Sequence, residues 1–229
     1  MDAHDQRVIH SSNESNYRTP PACFQALDQE FHFYVDAAAD RASALCRTWL
    51  GPESPEGSNA LVLDWYQYAD LGALFLNPPF SKTLVNAYNT GRIKIEDEGG
   101  ERIWVPHEQN PEKAKAYDIA NWAEKCWEES QRGATIVGVF PFAPQTEWYR
   151  HYVMGHEIVE TDAGPRVDWR GHCAREERRL PHRISFLTPD GQPTGNAGVN
   201  SVILVWRPNH GIVGPWQPHS FYWSYREAA

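Results

Sequence analysis

The sequence predicts an α/β fold, a parallel sheet flanked by helices and carrying surface insertions. Apolar, β-branched and aromatic runs recur along the chain, Phe31-His32-Phe33-Tyr34-Val35, Leu74-Phe75-Leu76, Thr135-Ile136-Val137-Gly138-Val139-Phe140 and Ser201-Val202-Ile203-Leu204-Val205-Trp206, and read as buried strands. A helical pattern ends at Gly133 immediately before one of them, giving the strand, helix, strand rhythm of parallel sheets with right-handed crossovers. Acids stand at the ends of two early strands, where open α/β sheets bind ligands.

Residues 1–16 are polar without hydrophobic period and read as a disordered leader; residues 17–229 read as one domain with insertions. Thr19 can cap a helix whose first turn holds Pro20, with Phe24, Leu27 and Phe31 on one face. The strand over 31–35 ends at Asp36, followed by three alanines that let a ligand approach the backbone. Asp36 reads equally as a helix N-cap. A short helix or strand over 41–50 and a Pro/Gly/Ser loop over 51–58 precede a predicted strand, Ala60-Leu61-Val62-Leu63, which ends in Asp64. The run into Asn77 supplies a third strand and 82–89 a brief helix. Residues 90–110 predict a hairpin or lid in which acids outnumber bases. Pro111 opens a long helix through Gln131, with Ala116, Ile119, Ala120, Ala123 and Trp127 on its apolar side. Trp148, Tyr149 and Tyr152 lie on a further helix, Glu157-Ile158-Val159 forms another strand, and the run 201–206 closes the sheet.

At 229 residues and 41% hydrophobic content the chain supports one sizeable core. The sequence holds no apolar run of membrane-spanning length and no apolar signal core, so a soluble, intracellular protein is expected. The four cysteines are widely spaced without a Cys-x-x-Cys pair, which argues against a disulfide framework and a zinc ribbon; His172-Cys173 with His182 has the wrong spacing for a metal site. The net charge of −9 repels a polyanion at long range, so nucleic acid requires a local basic patch.

One loop carries chemistry. In Asn77-Pro78-Pro79-Phe80 two prolines fix φ near −65° and remove two N–H donors, so the loop offers carbonyls and one amide. Such a loop suits a ligand that donates. The Asn77 side-chain oxygen and a proline carbonyl can accept both N–H bonds of a nucleobase amino group while Phe80 stacks on the ring. Held this way, the nitrogen lone pair is drawn out of conjugation and can attack a methyl group on a sulfonium, with the gain coming from positioning and electrostatics. The four residues alone also read as a rigid turn after a strand.

Several motifs stand in one order. They are Tyr17-Arg18-Thr19-Pro20 with Phe24, Leu27, Glu30-Phe31, Phe33 and Asp36-Ala37-Ala38; Leu63-Asp64-Trp65; Phe75 to Ser81; Phe140-Pro141 with Trp148; and Arg183-Ile184-Ser185-Phe186. On these the chain, over roughly residues 17–208, resembles the phage-type (Dam-like) DNA N6-adenine methyltransferases, S-adenosylmethionine-dependent enzymes with a Rossmann-like sheet. The resemblance implies that Asn77, Pro78, Pro79 and Phe80 form the catalytic loop. It implies that Asp36 and Ala37 meet the methionine part of the cofactor, that Thr19 and Pro20 close over it, and that Asp64 stands near its adenine. A glycine-rich Phe-x-Gly-x-Gly is missing after the first strand, alanines standing there instead, and the stretch 161–182 is longer than the family usual. Both 90–110 and 161–182 are candidate target-recognition elements.

The expected function is methyl transfer to adenine N6 in DNA without metal or covalent intermediate, the base being flipped out and stacked on Phe80. Flipping costs a few kcal/mol, and stacking at roughly 1–3 kcal/mol offsets much of it. A location in the cytoplasm of a bacterial host follows if the gene is phage-borne. Cytosine N4, an RNA base or a protein glutamine present the same N–H donors, and a non-catalytic binding module of the same fold is the rival from another class. The DNA-facing surface is expected at Arg166, Arg170, Arg175, Arg178, Arg179 and Arg183, set against Asp168, Glu176 and Glu177. A solvated loop whose arginines pair with its own acids is the other reading.

Overall fold

A computed structural model describes residues 17–51, 53–57, 59–80, 92–96, 102–106, 118–169, 173–194, 200–208 and 218–225. The predicted leader, the helix over 82–89 and the start of the helix at Pro111 lie outside them. The strands are β1 (Phe33–Asp36), β2 (Thr48–Trp49), β3 (Ala73–Leu76), β4 (Arg92–Glu96), β5 (Arg102–Pro106), β6 (Ile136–Pro141), β7 (His156–Thr161), β8 (Gly164–Trp169), β9 (Glu176–Arg179), β10 (Ser201–Trp206) and β11 (His219–Tyr222). Seven of them form one sheet in the order β11-β9-β10-β6-β3-β1-β2, while β4-β5 and β7-β8 are separate antiparallel hairpins. β2, β1, β3 and β6 run parallel; β10 is antiparallel to both β6 and β9, and β11 is parallel to β9. The fold is thus mixed α/β around a mostly parallel sheet.

Strand alternation assigns the two faces of that sheet. Leu74, Leu76, Ile136, Phe140, Val202, Leu204 and Trp206 point into one cluster, where they meet Trp122, Ala123 and Cys126 of helix α2 (Ile119–Arg132). Ala73, Phe75, Val137, Val139, Ile203 and Val205 point into the other, where they meet Cys23, Leu27 and Phe31 of helix α1 (Pro21–Phe31). Burial on both faces explains why these strands read as unbroken apolar runs. Gly138 is required by close packing: a Cβ there would stand 2.5 Å from Phe140 Cε2 and 2.9 Å from Leu76 Cδ2.

Four expectations are corrected. Thr19 does not cap α1; Pro20 is the N-cap and no side chain caps it. The run 60–63 is not a strand but a 3-10 turn, Ala60–Val62, because Asn59 Oδ1 accepts from Leu61 N at 3.1 Å and Trp65 Nε1 donates to the Ala60 carbonyl at 2.8 Å. These local bonds satisfy the backbone without a ladder. Helix α2 begins at Ile119, since Asp118 is extended and forms a capping box with Asn121; Gly133 ends it, as predicted. β10 does not close the sheet, since β9 and β11 lie beyond it, and the strand at 157–159 belongs to the β7-β8 hairpin. The hairpin expected within 90–110 is β4-β5. Tyr149–Val153 is one turn of π-helix, carrying two of the three aromatics placed on a helix.

Candidate active site

From β1 the chain steps outward to β2 on one side and to β3 on the other, so a crevice opens where the carboxyl ends of β1 and β3 diverge. A cleft lies there. Asp36 and Ala38 line it at the end of β1, Asp40, Ser43 and Leu45 in the loop that follows, Phe75, Asn77 and Pro79 at the end of β3, and Tyr17, Arg18 and Thr19 ahead of α1, with Pro189. The segment ahead of α1 reaches the cleft because Arg18 and Leu187 exchange two backbone hydrogen bonds, at 2.8 and 2.9 Å.

Asn77 is anchored from the opposite side by that segment: its Nδ2 donates to the Tyr17 carbonyl at 3.0 Å. A carbonyl only accepts, so the amide nitrogen must face Tyr17, and Oδ1 is left as an acceptor with no donor among the described residues. Pro78 and Pro79 are buried, and the absence of N–H groups means that burial strands no donor.

Asp36 is 3% exposed. Its Oδ2 accepts from Leu45 N at 3.1 Å and its Oδ1 from Ala38 N at 3.4 Å. Burial nevertheless dominates and pushes its carboxyl up to about 7, the charge of Asp40 adding to the rise. The Thr19 hydroxyl, also buried, has no hydrogen-bond partner. A buried carboxylate costly to ionise and an unsatisfied hydroxyl in one cleft are suited to a ligand that brings a cation and a polar group.

Asn77, Pro79, Asp36 and Thr19 are therefore brought together. Pro78 sits within the same loop, Pro20 caps α1, and Ala37 is buried with its N–H on the Phe75 carbonyl at 2.7 Å; none of these three lines the cleft, and Ala38 stands there in place of Ala37. Phe80 is half-buried with its ring edge-on to Phe186 at 6.1 Å, and Phe186 stacks on Tyr17 at 6.3 Å. Asp64 is not at the cleft. It is exposed and held by Arg132 at 2.8 Å, and Arg132 also meets Glu129, a buried carboxylate paired with Lys125. The guanidinium lowers the Asp64 carboxyl below its usual range. Tyr17, Arg18, Asp40, Ser43, Leu45 and Pro189 were not assigned to a site from the sequence; Asp40, whose Oδ1 accepts from Ala42 N and Ser43 N, carried the recognisable signal of an Asx turn.

The arginine-rich segment is not a continuous basic surface. Arg178 is buried, its guanidinium bonded to Glu30 at 2.6 and 2.7 Å and to Glu176, and stacked over Phe31 at 4.9 Å. Arg166 is exposed but pairs with Asp168 of its own strand at 2.8 Å. Arg175 is half-buried, its backbone bonded to Val205 and His219. Arg170 lies outside the described residues. Arg179 is exposed, with its Nε on Glu177 at 2.7 Å. For Arg166 and Arg178 the pairing with nearby acids prevails.

Among the described residues no helix is long and apolar enough to cross a membrane, and no group of three or more His, Cys, Asp or Glu is placed to hold a metal ion. Neither the curated proteins nor the solved structures give a match. The sequence model of one family, DNA N-6-adenine-methyltransferase (Dam), matches residues 7–220, a span that includes every residue of the β1-β3 cleft. The chain belongs to the DNA N-6-adenine-methyltransferase (Dam) family.

Proposed function

We propose that the protein transfers a methyl group from S-adenosylmethionine to N6 of adenine in DNA at the β1-β3 cleft of a Rossmann-like sheet. The observation that carries this is the orientation of Asn77, whose nitrogen donates to the Tyr17 carbonyl and thereby turns its oxygen toward a ligand as an acceptor.

The cleft fits the amino-acid end of the cofactor. Asp36 supplies a buried carboxylate for the ammonium group, and the unpartnered Thr19 hydroxyl supplies a further polar contact. When bound, the cofactor supplies an electrophilic methyl group. The chain's own residues prepare the acceptor: Asn77 Oδ1 and the Pro78 carbonyl would accept the two N6 hydrogens and stabilise the positive charge that develops on nitrogen as the N6–methyl bond replaces the sulfur–methyl bond, a neutral thioether leaving and N6 releasing one proton to solvent. The exposed part of Phe80 offers a face to the flipped base, while Phe186 braces the ring. Asp64, bound to Arg132 away from the cleft, supports the ends of α2 and the 59–68 region rather than a cofactor contact.

Incubation with methyl-labelled S-adenosylmethionine and DNA, RNA or protein, followed by identification of the labelled base or residue, tests the reading. Label in N6-methyladenine from DNA is expected. Label in N4-methylcytosine, RNA or glutamine, or none at all, would overturn it.

A further inference from the structure

A second cleft opens on the same edge of the sheet. Because β9 and β11 run parallel to β6 while β10 runs opposite, the ends of β6, β9 and β11 and the start of β10 share the edge that carries Asn77. Ser201 stands opposite Pro141, Val202 opposite Arg179, and Tyr222 opposite Arg179. Arg179, His182, Arg183, Asn200, Ser201 and Tyr222 line the cleft over a floor that includes Phe142, and no acid is among its lining residues.

The cleft is built for donation to an anion. Glu177, 3% exposed, lies beneath it, with one oxygen taken by the Tyr149 hydroxyl at 2.6 Å and the other by Arg179 Nε at 2.7 Å. This holds Arg179 by its Nε over the Phe142 ring at 5.3 Å and leaves both terminal nitrogens without a partner among the described residues. Arg183 is oriented by Asn200 Oδ1 at 3.0 Å. Tyr222, opposite Arg179, is 76% exposed. Guanidinium, amide and phenol donors are among the groups that contact DNA phosphates.

We infer that this cleft binds the sugar-phosphate backbone of the DNA beside the methylated adenine, an inference that rests on reading the β1-β3 cleft as the target-base site. β3 and β9 are three strand spacings apart, about 14 Å, which is about four base-pair steps at about 3.4 Å. A duplex laid along the carboxyl edge therefore meets both clefts. The net charge of −9 does not prevent this, because charges beyond about 8 Å are screened at physiological salt while contacts inside the cleft are not.

The full-length protein is titrated with a fluorescent duplex at several salt concentrations. The double variant Arg179→Gln/Arg183→Gln is expected to bind at least tenfold more weakly and to flatten the log–log salt slope by about two units, with the S-adenosylmethionine dissociation constant unchanged. A double variant that melts like wild type and keeps the wild-type slope would overturn the inference. Should loss of the Glu177 contact unfold it, Arg183→Gln alone is expected to remove about one unit, and an unchanged slope in it would overturn the inference equally. Methyl transfer is followed in the same samples. Altered DNA binding without any methyl transfer by the wild type refutes the methyl-transfer reading and upholds the cleft; methyl transfer with an unaltered slope in the variants does the reverse.

Discussion

The side chain of Asn77 donates to the carbonyl of Tyr17 at 3.0 Å, joining the end of the central strand β3 to the segment that leads into α1. That segment is itself clamped to Leu187 through Arg18. Two distant parts of the chain thus fix which way one amide points, and an acceptor so preorganised would meet a donating ligand without reorganisation.

If Asp36 receives the ammonium group of S-adenosylmethionine as proposed, cofactor binding should depend on pH. Its carboxyl is raised from 3.8 to about 7 by burial, so the folded protein holds a proton there that the unfolded chain releases. The associated stability is fully present below the unfolded value and is lost as pH rises through about 7, on the order of 4 kcal/mol in all. Asp36→Asn should therefore gain stability relative to wild type as pH rises from 4 to 7, and no further above that, in urea titrations across this range. A cationic ligand competes with the proton. Calorimetry should show S-adenosylmethionine affinity falling about tenfold per unit below pH 7 in wild type and staying flat, and weaker, in Asp36→Asn.

Thr19→Val separates a ligand contact from a structural one. The buried hydroxyl bonds nothing in the protein, so its removal should leave thermal stability unchanged or raise it by up to about 1 kcal/mol. Cofactor affinity should fall roughly five- to tenfold through the lost hydrogen bond. A loss of stability with unchanged affinity would make Thr19 a packing residue.

Arg178→Met should destabilise the protein by roughly 3 kcal/mol, the low end for a broken buried pair because Glu30 is half in water and Glu176 keeps Arg207 at 2.9 Å. Urea unfolding measures the loss. The salt dependence of DNA binding should stay at the wild-type slope, since a guanidinium 4% exposed contacts no phosphate.

The sheet was legible where both faces are buried. Leu74–Leu76, 136–140 and 201–206 show apolar runs because α1 packs below and α2 above. The run 60–63 shows the same composition, yet nothing in it reveals whether a neighbouring strand will pair with it; the Asn59 cap and the Trp65 indole decided for a turn. Pro111 is a good helix opener, but Asp118 with Asn121 three residues later is a capping box and marks the observed start. At the candidate cleft, the placement of Asn77 and Asp36 is legible because both stand at strand ends. The contribution of Arg18 and Pro189 depends on a pairing with a segment near the other end of the chain, for which the local sequence holds no signal. The enclosure of Arg178 is hidden from the local sequence for the same reason, since Glu30, one of the two acids that pair with it, lies on α1.

Single-turnover methyl transfer from labelled S-adenosylmethionine to duplex DNA compares wild type with Asn77→Ala at saturating cofactor and DNA. The wild type should place label on adenine N6, and the variant should do so at least about 10²-fold more slowly while binding the cofactor with near wild-type affinity, as expected for loss of one preorganised hydrogen-bonding partner in the transition state. Methyl transfer by Asn77→Ala at the wild-type rate would exclude Asn77 from the transition state.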